Sequence, residues 1–188
     1  HQCFGLHTAS LYPNDLGDSR GAEQLTGHID ARNGKFDFGR QPYALVKTHD
    51  APQNDAPAIY VVRDGREAVT SLYHFWHEGV PLLDIVEGRA RFGSWAGHLQ
   101  TWSPKTRRNT LLLRYEHLVD DLPGTVDRIS AFLRCRPQRH TLPPRDELAQ
   151  ADGRWIKPTS LQKVSLEGET LERFMAINGA AMEEFGYR

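Results

Sequence analysis

The segment Ala58-Ile59-Tyr60-Val61-Val62 constrains this chain most. A continuous apolar run, rich in β-branched residues and without alternation, suits a parallel strand covered on both faces. It stops at Arg63-Asp64-Gly65, and a helical pattern takes over. Ala68, Val69, Leu72, Tyr73 and Trp76 recur at spacings near four on one side. Strand, polar turn and helix therefore follow in that order. Tyr43–Val46 and Thr110–Tyr115 are further strand candidates, the second also a buried run. Helices are expected over Leu82–Gly88, Ser94–Trp102, Gly124–Arg134 and Leu171–Phe185, the last with Leu171, Phe174, Ile177 and Met182 as its apolar face. Residues 1–41 look like connecting structure around one weak helix near Ser19–Ile29. Val119–Pro123 is expected to break the chain, and residues 135–168 to be loop-dominated. Strands alternating with helices predict an α/β fold with a parallel sheet. Ligands of such sheets bind at the carboxyl ends of the strands. That singles out Lys47-Thr48-His49 and Arg63-Asp64-Gly65-Arg66.

At 188 residues one domain is expected, large enough to bury roughly 70% of its unfolded surface. A net charge of -1 argues against a broad nucleic-acid or acidic-membrane footprint, though not against one local anion pocket. No run of about 18 apolar residues marks a transmembrane helix. Cys3 and Cys135 are too few and too far apart for a disulfide scaffold or a structural zinc site. With sparse cysteine and no visible leader, the expected location is cytoplasmic.

Lys47 and His49 bring a fixed positive charge and a group that moves a proton near neutral pH, a pairing suited to attack on an anionic group. A solvated strand end is the plainer alternative. Arg63, past a buried strand, and Ser71, in the first turns of the next helix, can converge on one anion with help from the helix dipole. The alternative there is that Arg63, Asp64, Arg66 and Glu67 satisfy one another at the surface. His74 and His77 have a spacing that can hold a metal, but no H-E-x-x-H arrangement accompanies them, so a packing or surface role is favoured. The Gly-rich phosphate loops G-x-x-x-x-G-K-[ST] and G-x-G-x-x-G are absent, as is a G-x-S-x-G elbow. From the residues alone, the chain is an α/β domain with an anion site at two strand ends.

Four segments together resemble one family. Tyr43 to His49 resembles the K-T-H segment of the PAPS-dependent sulfotransferases. Ile59 to Phe75 resembles their 3′-phosphate signature, a strand followed by R-[ND]-x-[KR]-[DE]-x-x-x-S and an aromatic helix. Phe92 to Trp102 is similar to their G-S-W-x-x-H-x-x-x-W helix. Leu113 to Leu118 is similar to their Y-E-D-L strand end, with His117 where Asp is usual. Asp127 to Leu133 then matches a helix ending in F-L. The resemblance runs in order over roughly half the chain. It implies a central parallel sheet flanked by helices, an α/β fold related to that of the P-loop nucleotide kinases. It also implies transfer of a sulfuryl group from 3′-phosphoadenosine 5′-phosphosulfate to a hydroxyl or amine of a small-molecule or sugar acceptor, without a metal. Adenosine 3′,5′-bisphosphate is then the product nucleotide. By this resemblance His49 is the general base, Lys47 stabilises the transferring group, Arg63 and Ser71 hold the 3′-phosphate, and Tyr115 lines the adenine pocket.

Two parts of the family pattern are not matched. The phosphosulfate loop, Y-P-K-[SAT]-G-[TN]-T-W, has no counterpart in residues 1–46; Tyr12-Pro13 echoes its first two letters and is taken as chance. The chain opens on His1 rather than Met, so the expectation is a single sulfotransferase-like domain lacking its N-terminal strand and that loop. The carboxyl-terminal basic loop is blurred, and Lys157 is the candidate for its first basic place. A non-catalytic nucleotide-binding module of the same fold is the alternative, and a nucleotide kinase relative a more distant one. Trp76, His77 and Phe92 are candidates for an acceptor pocket or for core. The acceptor itself and the oligomeric state are not written in these motifs.

Overall fold

In a computed structural model of the chain, residues 1–12, 27–30, 45–76, 79–151 and 165–188 are described. Their elements run β1 (Thr8–Ser10), β2 (His28–Asp30), β3 (Leu45–Lys47), β4 (Ala58–Val62), α1 (Gly65–Phe75), α2 (Leu82–Val86), α3 (Trp95–Trp102), β5 (Thr110–Arg114), α4 (Tyr115–Asp120), α5 (Leu122–Leu133), α6 (Arg145–Ala151) and α7 (Gly168–Glu184). This is the expected α/β class with parallel strands. The chain divides into two compact units, His1–His49 with Asp121–Leu161, and Asp50–Asp120 with Gln162–Arg188.

In the first unit β1 lies between β2 and β3, parallel to both, with Ser10 opposite Lys47. Ala9 and Ser10 are fully buried, so the central strand is made of small side chains. The sequence shows no apolar run here and predicted no strand before Tyr43. His28 and Ile29, expected at the end of a weak helix near Ser19–Ile29, lie in β2; residues 19–26 are outside the described residues. Asp121 caps α5 by accepting from the Gly124 amide at 2.9 Å, and Pro123 sits in the first turn, where its missing N–H costs nothing. The expected break at Val119–Pro123 falls at Asp121, the one non-helical residue between the end of α4 and the start of α5.

In the second unit β4 and β5 pair in parallel from Ala58 opposite Thr110 to Val62 opposite Arg114. Parallel neighbours need a crossover, which α1, α2 and α3 supply. Asp64 caps α1 by accepting from the Arg66 amide at 2.8 Å, and Ser94 caps α3 by accepting from Gly97 at 3.1 Å. The core joins Val62, Val69, Ile85, Val86, Leu99, Phe174 and Met182. Trp76 packs against that core and stacks on Phe92 at 5.9 Å; His77 lies outside the described residues. Buried Asn178 on α7 accepts from the Ala96 amide at 2.9 Å and donates to the Phe174 carbonyl at 3.1 Å, which fastens α7 to α3. Arg107 clamps the turn before β4 through the carbonyls of Asn54 and Ala56. Among the described residues no helix is long and apolar enough to cross a membrane.

Candidate functional site

The two strands of the second unit end level, so their next residues emerge side by side. Arg63 follows Val62, Tyr115 follows Arg114, and the guanidinium carbon of Arg63 sits 4.5 Å from the centre of the Tyr115 ring. Such stacking spreads a cation over an aromatic face while leaving its N–H edge available. The edge meets Glu67, with Arg63 Nε and Nη2 at 3.0 and 2.5 Å from Oε2. Arg66 makes the other pairing, bidentate on Asp64 at 3.0 and 2.6 Å. Burial alone would raise the Asp64 carboxyl, but the hydrogen bonds and charge of Arg66 outweigh it and hold it below the usual range.

The mutual satisfaction foreseen as the plainer alternative therefore forms. The Arg63–Glu67 pair is an i,i+4 pair whose carboxylate side chain is 41% exposed. Such pairs contribute only about 0.3–0.5 kcal/mol, less than a charge-assisted bidentate contact to phosphate. Ser71 stands four residues beyond Glu67 on α1 and is exposed, so Glu67 and Ser71 share one face of that helix, and Arg63 reaches Glu67 from just before its first residue.

The first unit carries Lys47 and His49. Lys47 ends β3, half-buried, and His49 is exposed just beyond the strand. Tyr12 joins them. Its hydroxyl accepts from the His49 amide at 2.6 Å and lies 3.5 Å from the Thr48 hydroxyl, and its ring stacks on the His49 imidazole at 5.8 Å and 20°. β1 delivers Tyr12 there because it runs parallel to β3. The sequence reading missed this role; the Tyr12-Pro13 echo was the only signal. Lys157 lies outside the described residues. Lys47 and His49 thus share the first unit with Tyr12, while Arg63, Ser71 and Tyr115 share the second.

A further group was missed. Glu116 accepts from the Asp64 amide at 3.1 Å and from the Tyr187 hydroxyl at 3.0 Å. His98, assigned no role from sequence, pairs its Nδ1 with the Tyr60 hydroxyl at 2.7 Å, and burial pushes that phenol well above its ordinary range.

A family model described as Sulfotransferase domain matches residues 42–157. Human sulfotransferase 2B1 is 39% identical over 89 residues, 42% of this chain and 24% of the human protein. Mouse sulfotransferase 2A6 is 34% identical over 89 residues, 42% of this chain and 31% of its own length. These matches therefore span under a third of the curated relatives they align to. Mouse sulfotransferase SULT7A1, crystallised in complex with PAP, shares the fold with a TM-score of 0.53 at 16% identity, covering 96% of this chain and 83% of that one.

Proposed function

The chain belongs to the sulfotransferase domain family, and on that premise we propose that it moves a sulfuryl group from 3′-phosphoadenosine 5′-phosphosulfate to a hydroxyl or amine of a small acceptor. The observation that carries this reading is Arg63 laid on Tyr115 at the paired tips of two parallel strands, beside the start of α1. This offers a cation for the 3′-phosphate next to an aromatic face for adenine. Ser71 adds a hydroxyl donor on α1, one turn beyond Glu67.

In the reaction, His49 takes the acceptor's proton as the acceptor oxygen or nitrogen forms its bond to sulfur. The sulfur–oxygen bond to the 5′-phosphate breaks, and its electron pair leaves on the phosphate of adenosine 3′,5′-bisphosphate. Lys47 balances the charge that develops there. An alcohol is a poor nucleophile until that proton leaves, and an imidazole is a suitable base at neutral pH. Tyr12 supports His49 by holding its backbone amide and covering one face of its ring. The remaining acceleration comes from alignment and charge stabilisation.

The test is labelled-donor turnover against a panel of phenols, amines and glycosides, with His49→Gln beside the wild type. Loss of a general base lowers turnover about 10²–10⁴-fold while donor binding persists. Full turnover in His49→Gln would remove it from the base role. Nucleotide binding without turnover in the wild type would favour a non-catalytic binding module.

A further inference from the structure

The strand tips that carry Arg63 and Tyr115 are tied together beyond their last paired residues. Val62 is opposite Arg114, and β4 ends there, so the Asp64 amide has no strand partner. It is also the cap of α1 and lies outside that helix's own ladder. Glu116, two residues past Arg114, supplies the missing acceptor through Oε1 at 3.1 Å. A carboxylate here continues the pairing of the two strands by one more rung.

The other oxygen of Glu116 is held as well. Oε2 accepts from the Tyr187 hydroxyl at 3.0 Å and lies 3.7 Å from Arg114 Nε. Arg114 lies over the Tyr187 ring at 4.2 Å and donates to the Phe185 carbonyl at 3.1 Å. Tyr187 is buried, and burial first, the Glu116 hydrogen bond second, push its phenol well above the ordinary range, so it stays a donor. On the opposite side Arg66, bidentate on Asp64, donates to the Arg188 carbonyl at 2.8 Å. Residues 185–188 thus close around the Arg63-Asp64-Gly65 turn.

We propose that Glu116 is a positioning residue for anion capture. It fixes the Asp64 amide, and through it sets the Arg63 guanidinium against Tyr115, while Tyr187 and Arg114 aim the carboxylate. The identity of the anion rests on the function proposed above; the tie itself does not.

Three variants test this, Glu116→Ala, Glu116→Gln and Tyr187→Phe, each titrated calorimetrically with adenosine 3′,5′-bisphosphate and adenosine 5′-phosphate. Glu116→Ala weakens the bisphosphate about 10-fold, the size expected for a lost hydrogen bond to a charged acceptor, and leaves the monophosphate nearly unchanged. Glu116→Gln keeps an oxygen for the Asp64 amide and restores most of the difference, and Tyr187→Phe gives a smaller loss of the same kind. Equal weakening of both nucleotides, or none, overturns the proposal. Amide hydrogen exchange at Asp64, read by NMR without ligand, separates this from the sulfotransferase reading. If the wild type binds neither nucleotide, that reading fails. Faster Asp64 exchange in Glu116→Ala, slowed again in Glu116→Gln, still supports the tie, and unchanged exchange overturns it.

Discussion

Replacing Gly65 by alanine tests how the second unit supports its strand-tip arginine. Gly65 opens α1 directly after Asp64 and is buried. A Cβ there would lie 2.8 Å from Phe174 Cζ and 2.8 and 3.0 Å from two carbons of the Trp95 indole. Carbon pairs are comfortable at about 3.5–4.0 Å, so both rings must retreat. Phe174 has no exposed surface into which to move. Overpacking of this kind costs about 1–3 kcal/mol. The lower entropy of the unfolded alanine chain offsets about 0.4–1 kcal/mol. The net expectation is about 1.3 kcal/mol of destabilisation, the midpoint of the roughly 0–2.6 kcal/mol that the two ranges leave. In urea it appears as a lower midpoint at unchanged slope. The same variant in a Phe174→Leu background should cost less, with a coupling of about 0.5 kcal/mol or more. A Gly65→Ala protein as stable as the wild type, or a cost untouched by Phe174→Leu, would refute the packing argument.

Further outcomes follow from the core. Asn178→Leu strands the Ala96 amide and removes the bond to Phe174, so a loss of about 1–3 kcal/mol in urea unfolding is expected; an unchanged midpoint would show that neither bond holds α7. Burial keeps the Tyr60 phenol neutral in the folded state, whereas in the unfolded chain it ionises near pH 10. Its contribution is therefore complete below that pH and declines above it, by at most about 1.4 kcal/mol per pH unit. The fall in urea midpoint between about pH 9 and 11 should be smaller in Tyr60→Phe, and an identical fall would contradict the assignment.

What could be read from the sequence divides along physical lines. Ala58–Val62 and the helix after it were legible because a buried parallel strand and a helix with one apolar face leave different periodicities. β1 and β2 were not. Each has only three residues, with Ile29 the one large apolar residue among the six, and Thr8-Ala9-Ser10 is a strand only because strands lie on both sides of it. Tyr115 was assigned to the end of the β5 strand because the apolar tone runs into it, yet it begins α4. The break expected over Val119–Pro123 narrows to Asp121, and Pro123 falls in the first helical turn, which tolerates it. α7 starts at Gly168, ahead of the expected Leu171, and its buried Asn178 broke the apolar pattern that located the helix. Arg63 and Tyr115 were each marked as site residues, and the level strand ends bring them together. Tyr12 and Glu116 act through neighbours distant in sequence, which no local pattern encodes.

The central claim, that the Arg63–Tyr115 strand tips hold the 3′-phosphate of an adenosine nucleotide, is tested most directly by calorimetric affinities for adenosine 3′,5′-bisphosphate and adenosine 5′-phosphate in the wild type and in Arg63→Ala. The wild type should favour the bisphosphate by about 10–100-fold, the worth of charge-assisted hydrogen bonds to one phosphate, and Arg63→Ala should abolish that preference. Equal affinity of the wild type for both nucleotides, or a preference that survives Arg63→Ala, would contradict it.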